Sequence, residues 1–448
     1  MYDHRRLKTR DPVRSPSDKQ AIARPVLGWV TTGESLVLYI LLMRVLDFAI
    51  GLATISRVNA AVRYKSANIC ETTAGVNTYS GYVDLDDHSH LFFWFFEARQ
   101  SPETAPITLW LNGGPGTDSL LGLFTEVGPC TVNPDLTTSL NPFSWSEKSN
   151  LLSLSQPVGV GFSYGPNAAA IDTSELAAET TEDTMVQYPN FTTGNTYGIQ
   201  PLDDQVVSYM KFALSMDNGC RDQIYRCRQV YKSDEARDNV EGPYYEYSGR
   251  NMYDIRKSSQ ETAYTDFFVK YLNLSSTQEM LGVDFPIQYE PSSNEVYSAF
   301  QQSGDYVYPG YLEDLGFLLD QGMRVVLSYG DADYIGNWFG GEAVSLAVDY
   351  SQAPFFHSSS YVRLTVDDVD HGIVREYGNF SFAVVYDAGH MVPIDKPNVA
   401  LEIFRRSIFG FDIATGTNVI SNETAVPFIP DEPVTSSTLD EPLGSGTP

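Results

Sequence analysis

Between residues 79 and 98 two β-rich runs, Tyr79–Leu85 and Leu91–Ala98, flank the polar stretch DDHSH, a pattern that predicts a hairpin. Three other runs are apolar with little alternation: Ile107–Leu111 (ITLWL), Arg324–Gly330 (RVVLSYG) and Phe382–Asp387 (FAVVYD). Runs of that kind suit strands covered on both faces, as in a parallel sheet. Each stops at a loop of small or polar residues: Asn112-Gly-Gly-Pro-Gly, Asp331-Ala-Asp333, and Ala388-Gly389-His390. Helical stretches flank them, and one helix is predicted after Asp395-Lys396-Pro397, with an acidic cap and an early proline. This alternation predicts an α/β architecture with its chemistry at the strand ends.

Three regions depart from the pattern. Residues 1–56 open with a basic stretch and continue into an apolar one, Leu36–Met43 and Phe48–Ala53, broken by Arg44 and Asp47. A spanning helix needs about 20 apolar residues with few charges, so this segment reads as a degenerate signal or anchor, or a wrong gene start. Residues 186–262 are polar and rich in Tyr and Asn, an insertion out of the sheet within a domain spanning 57–414. After Phe411 the chain holds six acidic and no basic residues, and 415–448 reads as a disordered Ser/Thr/Pro-rich tail.

Charge narrows the partners. With 57 acidic and 29 basic side chains the net charge is −28, which repels phosphate backbones and excludes nucleic acid. A membrane enters only if the N-terminal segment is an anchor. Cys70, Cys130, Cys220 and Cys227 show no metal-ligand spacing, and as disulfides they allow three connectivities. Sequons at Asn190, Asn273, Asn379 and Asn422 point to an oxidising secretory route, with the mature protein extracellular or vacuolar. No cofactor or metal motif is present: HExxH, a GxGxxG after a strand, and a P-loop are all missing.

The candidate chemistry sits on the three loops. A carboxylate and an imidazole after two parallel strands, Asp333 then His390, are two thirds of a nucleophilic triad in α/β-hydrolase order. Consecutive glycines at Gly113 and Gly114 let backbone N–H groups approach an oxyanion.

The blocks LWLNGGPGTDSLLGLFTEVGPC, NPFSWSEKSNLLSLSQPVGVGFSYG, LSYGDADYIGNWFGGEAVSLAV and YDAGHMVPIDKPNVALEIF resemble successive signatures of the serine carboxypeptidase family. ICETTAGVNTYSGYVDL and NVEGPYYEYSGRNMYDIR resemble blocks of its filamentous-fungal branch. The resemblance covers about residues 57–411. It implies an α/β-hydrolase fold: a mixed, mostly parallel sheet flanked by helices, with a helical cap insertion. It implies release of C-terminal residues from peptides or proteins at acidic pH, and no cofactor. By motif, Asp333 is the triad acid, His390 the base and Gly114 an oxyanion donor. Asn112 and Glu126 fall in the network that reads the substrate's terminal carboxylate. Gly336 stands where the family often has Cys, and Asp118 where Ser is common.

One departure is severe. The family's nucleophile lies in a Gly-Glu-Ser-Tyr-(Ala/Gly)-Gly block, expected between GVGFSYG and NTYGIQ, and no equivalent is found there. The seam falls between about Thr180 and Val186, and one or two central strands are expected to be absent with the block. Ser163, in Gly161-Phe-Ser-Tyr-Gly165, fits G-x-S-x-G, but glycines precede it and Pro166 follows, where an elbow needs a strand and a helix. Gly33-Glu34-Ser35 echoes the lost motif within the targeting-like segment. The expectation is a carboxypeptidase family member inactive as it stands. The alternative is a pseudoenzyme that binds peptide C-termini or a partner protein.

Overall fold

Aromatic and β-branched alternation builds a first sheet around a dense aromatic core. Its strands are β1 (Ala61–Ser66), β2 (Thr78–Asp84), β3 (His90–Phe96), β4 (Ile107–Trp110) and β7 (Asn150–Leu154), while the short β5 (Cys130–Val132) and β6 (Thr138–Leu140) pair in a two-stranded sheet of their own. The computed structural model describes residues 61–85, 87–165, 180–216, 244, 247–262, 264–303 and 311–420. The N-terminal segment 1–56, Asp172–Glu179, Cys220, Cys227, Asn422 and the tail from 421 lie outside the described residues. The predicted hairpin is present as β2 and β3, paired antiparallel from Thr78↔Phe96 to Asp84↔His90. The first sheet has the order β1-β2-β3-β7-β4, with β4 and β7 parallel. Phe92, Trp94 and Phe96 alternate inward from β3 and meet Phe124, Phe268 and Tyr271. Cys70 and Cys130 form a disulfide beside this core.

The second sheet comprises β8 (Val325–Gly330), β9 (Val362–Val366), β10 (Val369–Tyr377) and β11 (Phe380–Val385), in the order β8-β11-β10-β9. β8 and β11 pair in parallel. β11 is buried along its whole length. Ala383 and Val385 face Val399 and Ile403 of the helix Pro397–Ile408, whereas Phe380, Phe382 and Val384 face Leu319 and Phe356.

The sheet is mixed, as expected, but among the described residues parallel pairing is confined to β4–β7 and β8–β11. The physical reason is the split itself. β4 and β8 end their respective sheets, and among the described residues no strand lies between them. ITLWL and RVVLSYG, expected to be covered on both faces, are instead edge strands: β4 is half-buried throughout, and Gly330 alone is fully buried in β8.

The polar region after the seam is helical. The helix Thr180–Gly194 runs through the seam, and with the helix Asp204–Ser215 it packs Tyr188, Phe191, Val207 and Met210 against Ala332 and Tyr334. Tyr334 stacks between Tyr188 and Tyr244, at ring-centroid distances of 4.7 and 3.7 Å.

Two boundary expectations are corrected. Residues 415–420, assigned to the tail by composition, are ordered because the Asp412 carboxylate accepts the N–H groups of Thr415, Gly416 and Asn418. Asp395 does not cap the helix that follows it; its carboxylate turns back to accept the Gly389 N–H at 2.8 Å.

Candidate functional site

The loop after β8 carries Asp333 and the loop after β11 carries His390, and the parallel pairing of these strands brings the loops side by side. The His390 Nδ1 lies 2.8 Å from Asp333 Oδ2. The other carboxylate oxygen of Asp333 accepts the Gly336 N–H at 3.1 Å. Asp333 is therefore held at both oxygens and buried, at 4% side-chain exposure, while 45% of the His390 side chain still meets water. A Cβ at Gly336 would sit 2.9 Å from Asp333 Oδ2 and 3.5 Å from His390 Nδ1, so glycine leaves this pair uncrowded.

The His390 side chain is part-exposed, with Nδ1 turned to Asp333. Desolvation there disfavours the imidazolium. The Asp333 charge, its hydrogen bond and the Glu126 charge outweigh that cost, and the pKa rises to about 9. Glu126 lies on the irregular turn Leu123–Val127. Desolvation raises its pKa to about 7, against the opposing pull of His390. Among the described residues no donor is hydrogen-bonded to the Glu126 carboxylate.

Asn112 follows β4. Its Oδ1 accepts from Trp110 Nε1 at 2.8 Å and from the Gly122 N–H at 3.1 Å. With the oxygen so committed, its NH₂ is the group left for a ligand. Gly122 has to be glycine, because a Cβ there would lie 2.4 Å from Trp110 Nε1. Gly114 has φ +144°, and a Cβ would lie 2.8 Å from the Thr117 nitrogen. Among the described residues no acceptor takes the Gly114 N–H. Asp118, a few residues on, is completely buried. Burial raises its pKa to about 6; Ser155 and Tyr289 lie close enough to favour the charge without making well-aligned hydrogen bonds.

Ser163 belongs elsewhere. Its hydroxyl donates to the Ser155 carbonyl at 2.6 Å and accepts the Phe92 N–H at 2.7 Å, so both its donor and an acceptor site tie β3 to the loop after β7. Among the described residues no hydroxyl is hydrogen-bonded to His390 Nε2. Gly33-Glu34-Ser35 lies outside the described residues. Among the sequons, Asn190 is exposed. Asn379 donates to the Gly322 carbonyl. Asn273 donates its amide to the Val269 and Tyr289 carbonyls. Among the described residues no cluster of three His, Cys, Asp or Glu side chains is arranged to hold a metal. No helix among them is long and apolar enough to cross a membrane.

Sequence reasoning assigned no role to the segment Met252–Arg256, which touches both loops, nor to Thr196 and Tyr197, whose hydroxyls donate to the buried Asp331. The signal available was the Asp-Ile-Arg charge pair in NMYDIR, two residues apart and of opposite sign.

Parallel strands that end in an acid loop and a histidine loop, packed between helices, define an α/β-hydrolase. The chain matches the serine carboxypeptidase family over residues 69–197 and 178–410. It is 34% identical to carboxypeptidase S1 homolog B of Arthroderma otae, over 80% of this chain and 77% of that protein. It is 30% identical to carboxypeptidase S1 of Penicillium janthinellum, over 77% of this chain and 98% of that one. Its fold is similar to that of a prohormone-processing carboxypeptidase from Saccharomyces cerevisiae, with a TM-score of 0.54 and 20% identity, covering 76% of this chain and 93% of that chain. The chain belongs to the serine carboxypeptidase family. The alignment with the Arthroderma otae protein runs over 506 residues, more than the 448 of this chain, so that relative carries residues with no counterpart here.

Proposed function

We propose that this chain keeps the family's site for a peptide C-terminus and lacks the hydrolytic step. Asp333 and His390 act as the proton-transfer pair, Gly114 supplies an oxyanion N–H, and Asn112 with Glu126 receives the terminal carboxylate. One observation carries the reading: a paired and positioned imidazole whose Nε2 meets no hydroxyl among the described residues. The break in the family match, whose two segments overlap at 178–197, supports loss of the nucleophile block at that point.

The electrostatics set the pH dependence. Below about pH 7 Glu126 is neutral and can donate to a carboxylate, while His390 is cationic. Above that pH Glu126 becomes an anion and repels the ligand, so binding belongs to acidic conditions. The Cys70–Cys130 disulfide and the exposed sequon at Asn190 support passage through the secretory route to the exterior or a vacuole.

Two assays test this. A serine-directed fluorophosphonate and a blocked dipeptide at acidic pH should give neither labelling nor release of the C-terminal residue. A peptide with a free C-terminus should bind by calorimetry and its C-terminal amide should not. Labelling or turnover would overturn the loss of hydrolysis; equal binding of the amide would overturn the carboxylate site. The same match break favours a second reading, a transcript in which the block is present. Sequencing cDNA across the codons for Thr180–Val186 decides between the two.

A further inference from the structure

The Asp333 and His390 loops are joined by a third segment. The Met252 carbonyl accepts the N–H groups of Tyr334 and Ile335, both at 3.2 Å, and Ile255 donates its N–H to the Ala332 carbonyl at 2.9 Å. Between those bonds the Tyr253 carbonyl accepts the His390 N–H at 2.8 Å. Its ring lies 5.4 Å from the imidazole. One short stretch thus grips the residues on both sides of Asp333 and the backbone of His390 itself.

The stretch is in turn closed by charge. Arg256 donates to both oxygens of Asp254, at 2.8 and 2.7 Å, and to Asp395 Oδ2 at 3.0 Å. Lys257 adds a second cation, 3.3 Å from Asp254. Asp395 Oδ2 also accepts the N–H of Gly389, the residue before His390. A side chain at Gly389 would strike the Tyr253 carbonyl, with its Cβ 2.4 Å away, so the two segments meet backbone to backbone. The guanidinium further lies over the Tyr197 ring, whose hydroxyl holds Asp331.

We propose that Met252–Arg256 is a positioning strap for the Asp333–His390 pair, with the Arg256–Asp395 ion pair as its clasp. Asp395 acts at a distance: it fixes the Gly389 amide, which fixes the His390 backbone, which sets the Nδ1–Oδ2 separation. The strap also accounts for a pair that stays assembled beside an incomplete sheet, since none of its bonds involve β4 or the seam. This inference rests on reading Asp333 and His390 as a proton-transfer pair.

The test is the titration of His390 by NMR on the full chain, whose six histidines are few enough to assign with H390Q. In the unmodified chain His390 should titrate near pH 9. D333N should lower its proton affinity at least about tenfold; no change there would sink the pair itself. D395A, which leaves the Gly389 N–H without an acceptor, should also lower it about tenfold. D395N keeps an acceptor and should restore most of the difference. A D333N response with an unmoved His390 in D395A, or identical shifts in D395A and D395N, would overturn the strap while sparing the pair. Should D395A fail to fold, R256Q releases the clasp from the other side. A lowered His390 titration in R256Q supports the proposal and an unchanged one overturns it.

Discussion

β8 and β11 pair in parallel, and both read in sequence as short apolar runs ending in a polar loop, yet their surroundings differ. Every residue of β11 is buried, whereas most of β8 is half-open. β4 resembles β8, half-buried from Ile107 to Trp110. The residues are not the cause. β11 has a strand on each edge and an apolar layer on each face, whereas among the described residues β4 and β8 each have a strand on one edge alone. Burial of a strand is therefore a property of its neighbours. The Asp333–His390 pair stays assembled because its loops, one after β8 and one after β11, are bound to each other and to the segment 252–256.

The largest effect should come from refilling the slot. Inserting a strand, a Gly-Glu-Ser-Tyr-Ala-Gly elbow and a helix between Thr180 and Val186 should bring β4 and β8 into one sheet and supply the hydroxyl. Blocked-dipeptide turnover should then exceed the uncatalysed rate by at least about 10⁶-fold, the low end for enzymes, and a further H390A change should silence it. Continued inactivity in a folded insertion protein would show that the two halves differ by more than a missing neighbour.

Core truncation compares the strands directly. Phe382→Ala on β11 should cost about 3–5 kcal/mol in urea unfolding, as for a fully enclosed aromatic. Leu109→Ala on β4 should cost about 1–2 kcal/mol, because part of that side chain is already in water. Equal losses would break the comparison.

Asp118, buried just past β4, gives a pH-dependent difference. Its folded pKa of about 6 stands above the unfolded value of 3.8, so its contribution is complete below pH 3.8 and lost as pH rises through 6. Relative to D118N, the unmodified chain should lose about 3 kcal/mol between acid and neutral pH. Parallel melting curves for the two proteins would contradict this. The smallest effect concerns Glu126. Affinity for a peptide carboxylate should fall about tenfold as pH passes through 7, and E126Q should flatten that slope. A slope that persists in E126Q would assign the pH dependence to another group.

The acid–imidazole pair was legible before the fold: Asp333 and His390 each stand at a strand end with its loop, a unit that local sequence encodes, and the fold brings them to 2.8 Å. Gly114, Asn112 and Glu126 remain candidate positions read from the same kind of block. Asp395 was misread as a helix cap, since an acid before proline is a good local capping signal; its partner is a backbone amide across a turn and a guanidinium 139 residues away in sequence. Arg256 carried only the nearby Asp254 as a local mark, and nothing in its neighbourhood pointed to Asp395. Ser163 matched a motif, yet its hydroxyl closes a bond between β3 and the loop after β7.

The amino-acid order alone determined the strand and loop identities and the acid–imidazole order, because these are short-range patterns of side chains along the backbone. Only the tertiary structure decided that the sheet is divided, that β4 and β8 lie half-open, and that a remote segment ties the acid loop to the histidine loop. Burial and hydrogen-bond closure depend on which distant segments meet, and a linear pattern does not record what its neighbours fail to supply.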